Sequence, residues 1–534
     1  MPVPEDHALD RVSFDRRRLL AGLGLLGAAA LTSGLPAPAL AAPGEPHSPF
    51  DLHFRLTHQY RPFALIAPGF EQFDTAVPGA VGALSGTGFR PERGGLRFTA
   101  GESSAHADHL VRTGVGPRAP HASVLVEVAR LDPGGAVLAG LVADDARRVL
   151  ARYDGAAGRA SIEVTVDGRT TVVRTAPVQL HAPFRFAFVV NENAVTVLVD
   201  PTGTGTGWTP LVTERAGVSA LVDLRDPQVL GRHGYGFGAS GDGEVVLGRV
   251  QAGYFGQAGL RDPHVVQTAE GRPYIRDGKL YLTFTCAGLG FFQQAHWGVF
   301  RLDLADPTRL EQVSQLFFTR DGLVLGDHAG QIVVDERNER FVVLVSSWGD
   351  FAFRGVHVRH ATTSADVLSG VHVIPTERLA LPTALDSWDP ALTLIDGRWH
   401  LGFVESPAQE PAFVFHPALA VAPRGADYHE GLQLVGADLS VDQTEGCILQ
   451  RVGRDWYLLA SDGDARQYRV YDLGMRFLGT LDAPYRTNIP HPQIVPVPAR
   501  GGTEWWMVTF DGTQYAEPVL GYGGHGDVLI MRHG

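Results

Sequence analysis

Cysteine is almost missing: the 534-residue chain carries two, Cys286 and Cys447, far apart in sequence. Two thiols in so long a chain exclude a disulfide framework and point to packed side chains. Charged residues make up only 19% and hydrophobic residues 44%, which excludes disordered and fibrous classes. The formal net charge is −13 and the basic residues are scattered, so a nucleic-acid partner is excluded. No cluster has zinc-site spacing, and no glycine loop is built to cradle phosphate. No metal ligand set is read, and no cofactor is required. No long stretch carries helical periodicity.

One apolar run exists, and it is at the start. Arg16, Arg17 and Arg18 precede LLAGLGLLGAAALTSGL, Pro36, Pro38 and then ALA at 39–41. This pattern resembles a twin-arginine export signal, with cleavage after Ala41 or Ala42. The glycines and prolines suit a cleaved signal better than a membrane anchor. No cysteine follows the run, which excludes a lipid anchor there. A secreted protein, extracellular or periplasmic, is expected, with no membrane attachment after cleavage. Residues 1–42 are therefore set apart from the fold.

The rest reads as two all-β halves, as the length of the chain predicts. From 43 to 255, runs such as ASVLVEVARL, ASIEVTVDG, FRFAFVVN and AVTVLVDP recur about every ten residues. β-branched residues dominate, and turn residues join the runs. A jelly-roll-like β-sandwich is expected. From 256 to 534 the period changes. DGKLYLTFTC, NERFVVLVSSW, DGRWHLGFVES, GRDWYLLASDG and GTEWWMVTFDG start at 277, 338, 396, 453 and 502, spaced by 61, 58, 57 and 49 residues. A strand-only repeat of that length predicts a five-bladed β-propeller.

A polar residue stands just upstream of each repeat. These are Asp262 in RDPHVV, Asp327 and His328 in LGDHAGQIVV, Asp389 in SWDPALTLI, Glu445 in TEGCILQ and His491 in IPHPQIVPV. Each leads into an apolar run read as an inner strand. Equivalent inner-strand positions surround a propeller's axis, so all would face one funnel. Crowded, partly desolvated carboxyls raise at least one pKa. A protonated acid beside an ionised base is what glycosidic cleavage needs. Asp327 and His328 either line the pocket or cap a loop. Trp297, Trp348 and Trp388, near strand ends, either stack on sugar rings or pack.

DPHVV at 262, WDPALTLIDG at 388 and TEGCILQRVGRDWYL at 444 resemble the three signatures of glycoside hydrolase family 43 and its clan. The resemblance covers about residues 256–534. It implies an inverting five-bladed enzyme with Asp262 as general base, Asp389 as pKa modulator and Glu445 as general acid. Asp327, His328, Trp348, Trp388 and His491 would bind substrate, and a structural Ca2+ on the axis near His491 is a family analogy. Cys447 stands where the family usually has proline. The N-terminal half resembles concanavalin-like sandwiches at the level of fold. The implied protein is a monomeric, secreted hydrolase of arabinose- or xylose-containing polysaccharides or oligosaccharides. An inverting pair of carboxyls would lie about 6.5–9.5 Å apart. Two alternatives stay open: a retaining fructan-type hydrolase or transferase, and a non-catalytic carbohydrate-binding protein.

Overall fold

The stretch 387–406 folds as a hairpin in which Asp386–Ile395 pairs antiparallel with Arg398–Ala408. Asp396 and Gly397 join the strands with φ of 49° and 73°. A two-residue turn that matches strand twist needs positive φ at both positions, which is why Asp-Gly stands there. Asp277 and Gly278 repeat the device at 52° and 71°. The computed structural model describes residues 45–86, 88–92, 95–99, 108–353, 355–516 and 525–534. The leader read at 1–42 lies outside the described residues.

The second half forms five successive sheets. Their inner strands are Leu260–Val265, His328–Asp335, Asp386–Ile395, Thr444–Val452 and Gln493–Ala499. Hydrophobic clusters fill each gap between neighbours. Val299 and Phe318 of sheet one meet Ile332 and Val343 of sheet two. Leu344 of sheet two meets Leu392 and Phe403 of sheet three. Leu419 of sheet three meets Leu449 and Leu458 of sheet four. Leu459 and Val470 meet Ile494 and Met507 of sheet five. Val508 and Ile530 of sheet five return to Leu282 and Phe300 of sheet one. The arrangement is propeller-like. Because the successive main strands of each sheet pair antiparallel, loops joining second to third strands lie at the end where inner strands begin. The connections from an outer strand to the next inner strand lie there too.

Two departures from the expected plan are informative. Phe54–Tyr60, grouped with the N-terminal sandwich in the sequence, pairs instead with His525–His533 in sheet five. It covers the edge that Gln493–Ala499, Gly502–Gln514 and His525–His533 leave open. Local strand patterning carries no signal for such a pairing. The five sheets are also not alike, because only the first four open on a bulged inner strand, described below.

The remaining N-terminal strands form a seven-stranded and an eight-stranded sheet around one shared core. Val124, Val126 and Val128 point inward from one sheet, and Val137, Ala139 and Leu141 from the other. Among the described residues the α-helices are four-residue turns, Ala216–Ser219 and Pro227–Leu230. The hairpin tip after Phe184–Asn191 reaches the loops at the inner-strand end. Asn191 Oδ1 accepts from the Leu289 amide at 3.2 Å, and Glu192 Oε1 from the Gly326 amide at 3.2 Å. Both cysteines are buried free thiols, and Cys447 Sγ donates to the Phe403 carbonyl.

Candidate active site

Four inner strands slip register near their starts, at Arg261/His264, His328/Gly330, Trp388/Ala391 and Glu445/Ile448. One residue in each bulge is left-handed: Asp262 at φ 49°, Ala329 at 54°, Asp389 at 50° and Gly446 at 73°. An extra residue breaks the alternation, so two adjacent side chains can address the same site. The bulges create two rows. One holds Asp262, Ala329, Asp389 and Gly446. The other, one residue earlier, holds Arg261, His328, Trp388 and Glu445. Asp262, Asp389 and Glu445 were expected at equivalent positions, yet Glu445 belongs to the second row. In the first row its place is taken by Gly446. A Cβ there would lie 2.5 Å from His491 Cδ2, so only glycine admits the imidazole.

Hydrogen bonds link the bulges around the axis. Ser346 Oγ donates to the Ala329 carbonyl at 2.6 Å and accepts from the Asp389 amide at 3.0 Å. The Gly446 amide donates to Asp389 Oδ2 at 3.0 Å. His491 Nε2 lies 3.4 Å from Asp389 Oδ2 and 3.7 Å from Asp262 Oδ1. Arg261 Nε lies 3.8 Å from Asp262 Oδ1, and its guanidinium lies over the Phe510 ring at 4.6 Å. The Trp388 indole N–H donates to Glu445 Oε2 at 3.1 Å. Three carboxyls, one guanidinium and the imidazoles of His491 and His328 thus meet at one site, buried except for partly exposed Glu445.

Their protonation states diverge. Burial presses the Asp262 pKa upward, but Arg261, His491, His328 and the Thr285 hydroxyl together hold it below the usual carboxylate value. Burial, then the charge of Asp262, push Glu445 up to about 7, against the Trp388 hydrogen bond and Arg261. Burial, then Glu445 and Asp262, drive Asp389 well above its ordinary value. Burial lowers His491 to about 4, so its ring is neutral near pH 7. One carboxylate is held ionised while its neighbours retain protons, which is the separation an acid/base pair requires. The charge that tunes Glu445 directly comes from Asp262. Asp389 instead holds the backbone beside Glu445.

The other sequence candidates fall in different places. His328 Nε2 faces the Phe292 carbonyl at 3.1 Å, and Nδ1 meets Thr285 Oγ1 at 3.3 Å, which anchors the ring beside Asp262. Asp327 is fully buried, with both oxygens engaged. Arg320 pairs with it at 2.9 and 3.0 Å, and the Gly349 amide donates at 3.0 Å. It fastens a loop and has no lone oxygen turned to a ligand. Trp348 is buried against Trp388, ring centroids 5.3 Å apart, and Trp297 is buried in sheet one. Sequence reasoning missed Arg261, Gly446 and the donor role of Trp388. The first-row pattern Asp, Ala, Asp, Gly carried a usable signal, since Asp and Gly are residues that tolerate left-handed backbone.

The surroundings of His491 do not suit calcium. That ion takes 6–8 oxygen ligands, whereas His491 offers a ring nitrogen between two carboxylates that its own edge already meets. Among the described residues no group of three or more His, Cys, Asp or Glu could hold a metal ion.

No family model and no curated protein matches the chain. Among solved structures, a GH43_1 enzyme from Xanthomonas citri complexed with xylose is 16% identical. It covers 51% of this chain and 87% of its own, with a TM-score of 0.35. An α-L-arabinanase from Penicillium chrysogenum complexed with arabinobiose is 12% identical, covering 66% and 91%, with a TM-score of 0.34. A carbohydrate binding module, CBM66, from Bacillus subtilis is 9% identical, covering 32% and 95%, with a TM-score of 0.25. These likenesses are slight, and the chemistry of the site rests on its own side chains.

Proposed function

We propose that the chain is an exported, inverting glycoside hydrolase whose catalytic domain is a five-bladed propeller. The observation that carries this reading is the carboxyl trio at the axis: Asp262 lies beside Arg261, which helps hold its pKa below the usual carboxylate value, while burial and the charge of Asp262 raise Glu445 to about 7. Asp262 takes a proton from water. That water attacks the anomeric carbon as Glu445 gives its proton to the departing oxygen. With Oε2 held by Trp388, Oε1 carries the proton. Asp389 acts through the Gly446 amide, fixing the backbone of the acid, and through His491. Arg261 keeps Asp262 ionised inside the protein. Arabinose- or xylose-containing polymers are the substrate class, on the strength of the motif resemblance. The sandwich, concanavalin-like in this reading, braces the catalytic-end loops through Asn191 and Glu192.

The test uses the chain from residue 43 onward with arabinans, xylans, galactans and fructans. Sugar release by the wild type and its loss in Asp262→Asn, with the variant folded, would support the reading. Release that persists in Asp262→Asn would overturn the assignment of the base. No release from any polymer would favour a binding protein.

A further inference from the structure

We infer that Thr285 and Ser346 are positioning residues of the site, which with Asp389 form a hydrogen-bonded relay from the base Asp262 to the backbone of the acid Glu445. The inference deepens the hydrolase reading above and rests on it. The register sets one residue of each second strand opposite the inner strand just before its bulge. Thr285 faces Arg261, Ser346 faces His328, Val404 faces Trp388 and Ser461 faces Glu445. All four of these second-strand residues are buried.

A bulge takes its extra residue out of the strand ladder, so a buried amide there needs another acceptor. The hydroxyl of the preceding sheet supplies it. Thr285 Oγ1 of sheet one accepts from the Ala329 amide of sheet two at 3.2 Å. Ser346 Oγ of sheet two accepts from the Asp389 amide of sheet three at 3.0 Å and donates to the Ala329 carbonyl at 2.6 Å. At the third gap Val404 stands where the hydroxyl would be. Asp389 Oδ2 accepts from the Gly446 amide of sheet four in its place, at 3.0 Å. At the fourth gap Ser461 Oγ donates to the Tyr485 hydroxyl at 3.0 Å, on the connection into sheet five. Two hydroxyls and one carboxylate therefore seat three successive bulges, and each bulge carries or adjoins a residue of the site.

The relay begins at the base. The Thr285 hydroxyl has one proton and two acceptors in reach, Asp262 and His328 Nδ1, the latter at 3.3 Å. The carboxylate carries charge and is the stronger acceptor. Around Asp262 stand Arg261 on its own strand, His328 from sheet two and His491 from the connection into sheet five. The carboxyls of Asp389 and Glu445 face it from sheets three and four.

The experiment compares Thr285→Val, which keeps the shape and loses the hydroxyl, with Thr285→Ser, which keeps the hydroxyl. The assay is kcat/KM against pH on the arabinan or xylan that the wild type cleaves. Losing a hydrogen bond to the charged form raises the Asp262 pKa, so the acid limb in Thr285→Val should move up by about one pH unit or more. In Thr285→Ser it should stay in the wild-type position. Ser346→Ala strips the Asp389 amide of its acceptor, and should cut kcat at least about tenfold with KM within about twofold. A thermal melt confirms folding, and Ser346→Ala decides alone should Thr285→Val not fold. An acid limb that Thr285→Val leaves in place, or a Ser346→Ala enzyme that loses melting temperature but no kcat, would overturn the relay while the hydrolase stands. If the wild type cleaves nothing, the hydrolase reading fails, and amide hydrogen exchange decides the relay. Faster exchange at Asp386–Ile395 in Ser346→Ala, with Gly502–Gln514 unchanged, upholds it. Equal exchange overturns it.

Discussion

Replacing Trp388 with phenylalanine removes the indole donor at 3.1 Å from Glu445 Oε2 and leaves most of the aromatic packing. That hydrogen bond favours the ionised acid, so it pulls the Glu445 pKa down from where burial and Asp262 would set it. A hydrogen bond to a charged group contributes about 1.5–3 kcal/mol. One pKa unit corresponds to about 1.4 kcal/mol, so losing the bond should raise Glu445 by about 1–2 units. Glu445 must be protonated to act. Under the proposed mechanism, wild-type activity should be full below pH 7 and be lost as pH rises through about 7. In Trp388→Phe that alkaline limb should move upward, to about 8–9. The acid limb, set by Asp262 below the usual carboxylate range, should stay in place. The assay is kcat/KM against pH, with a thermal melt to confirm folding. The smaller ring costs about 1–3 kcal/mol of stability. Water entering the space would relieve desolvation and move the limb down. A limb that stays or moves down would refute the hydrogen-bond argument.

Gly446→Ala should reduce kcat/KM by at least about tenfold, since its Cβ would meet His491 Cδ2 at 2.5 Å and left-handed alanine costs about 1–2 kcal/mol. Activity within about twofold of wild type would contradict this account of the glycine. Glu192 is buried, and that burial raises its pKa to about 8 against the Gly326 amide and Arg225. Its folded value exceeds the unfolded one, so stability is retained at low pH and lost as pH rises through about 8. Glu192→Gln should remove about 4 kcal/mol of that alkaline loss, read by denaturant unfolding at about pH 5 and pH 9. Parallel pH slopes in the two proteins would contradict it. Asp327→Asn should cost about 1–3 kcal/mol by removing the buried carboxylate partner of Arg320, which keeps Asp321, Asp350 and the Gly349 carbonyl. A raised KM with stability intact would instead make Asp327 a substrate ligand.

The hairpin at 387–406 was legible because Asp-Gly and alternating apolar residues are local signals. The repeat was legible for the same reason, since each sheet writes a similar second strand. Asp262, Asp389 and Glu445 stood out as charges entering apolar runs. Their register was not legible. A bulge adds one residue and shifts every later side chain, and alternation alone does not reveal which residue turns left-handed. Long-range pairings left no local trace either. Phe54–Tyr60 joins His525–His533 across almost the whole chain. Trp388 was visible as an aromatic near a strand end. That its indole faces Glu445 depends on the bulges in two different sheets.

The central claim is that Asp262 activates water and Glu445 protonates the departing oxygen across one site. Proton NMR of the first sugar released by the wild-type chain tests it most directly. The account predicts a first-formed anomer of inverted configuration, appearing before mutarotation sets in. A retained configuration would contradict it, and would make Asp262 a nucleophile rather than a base.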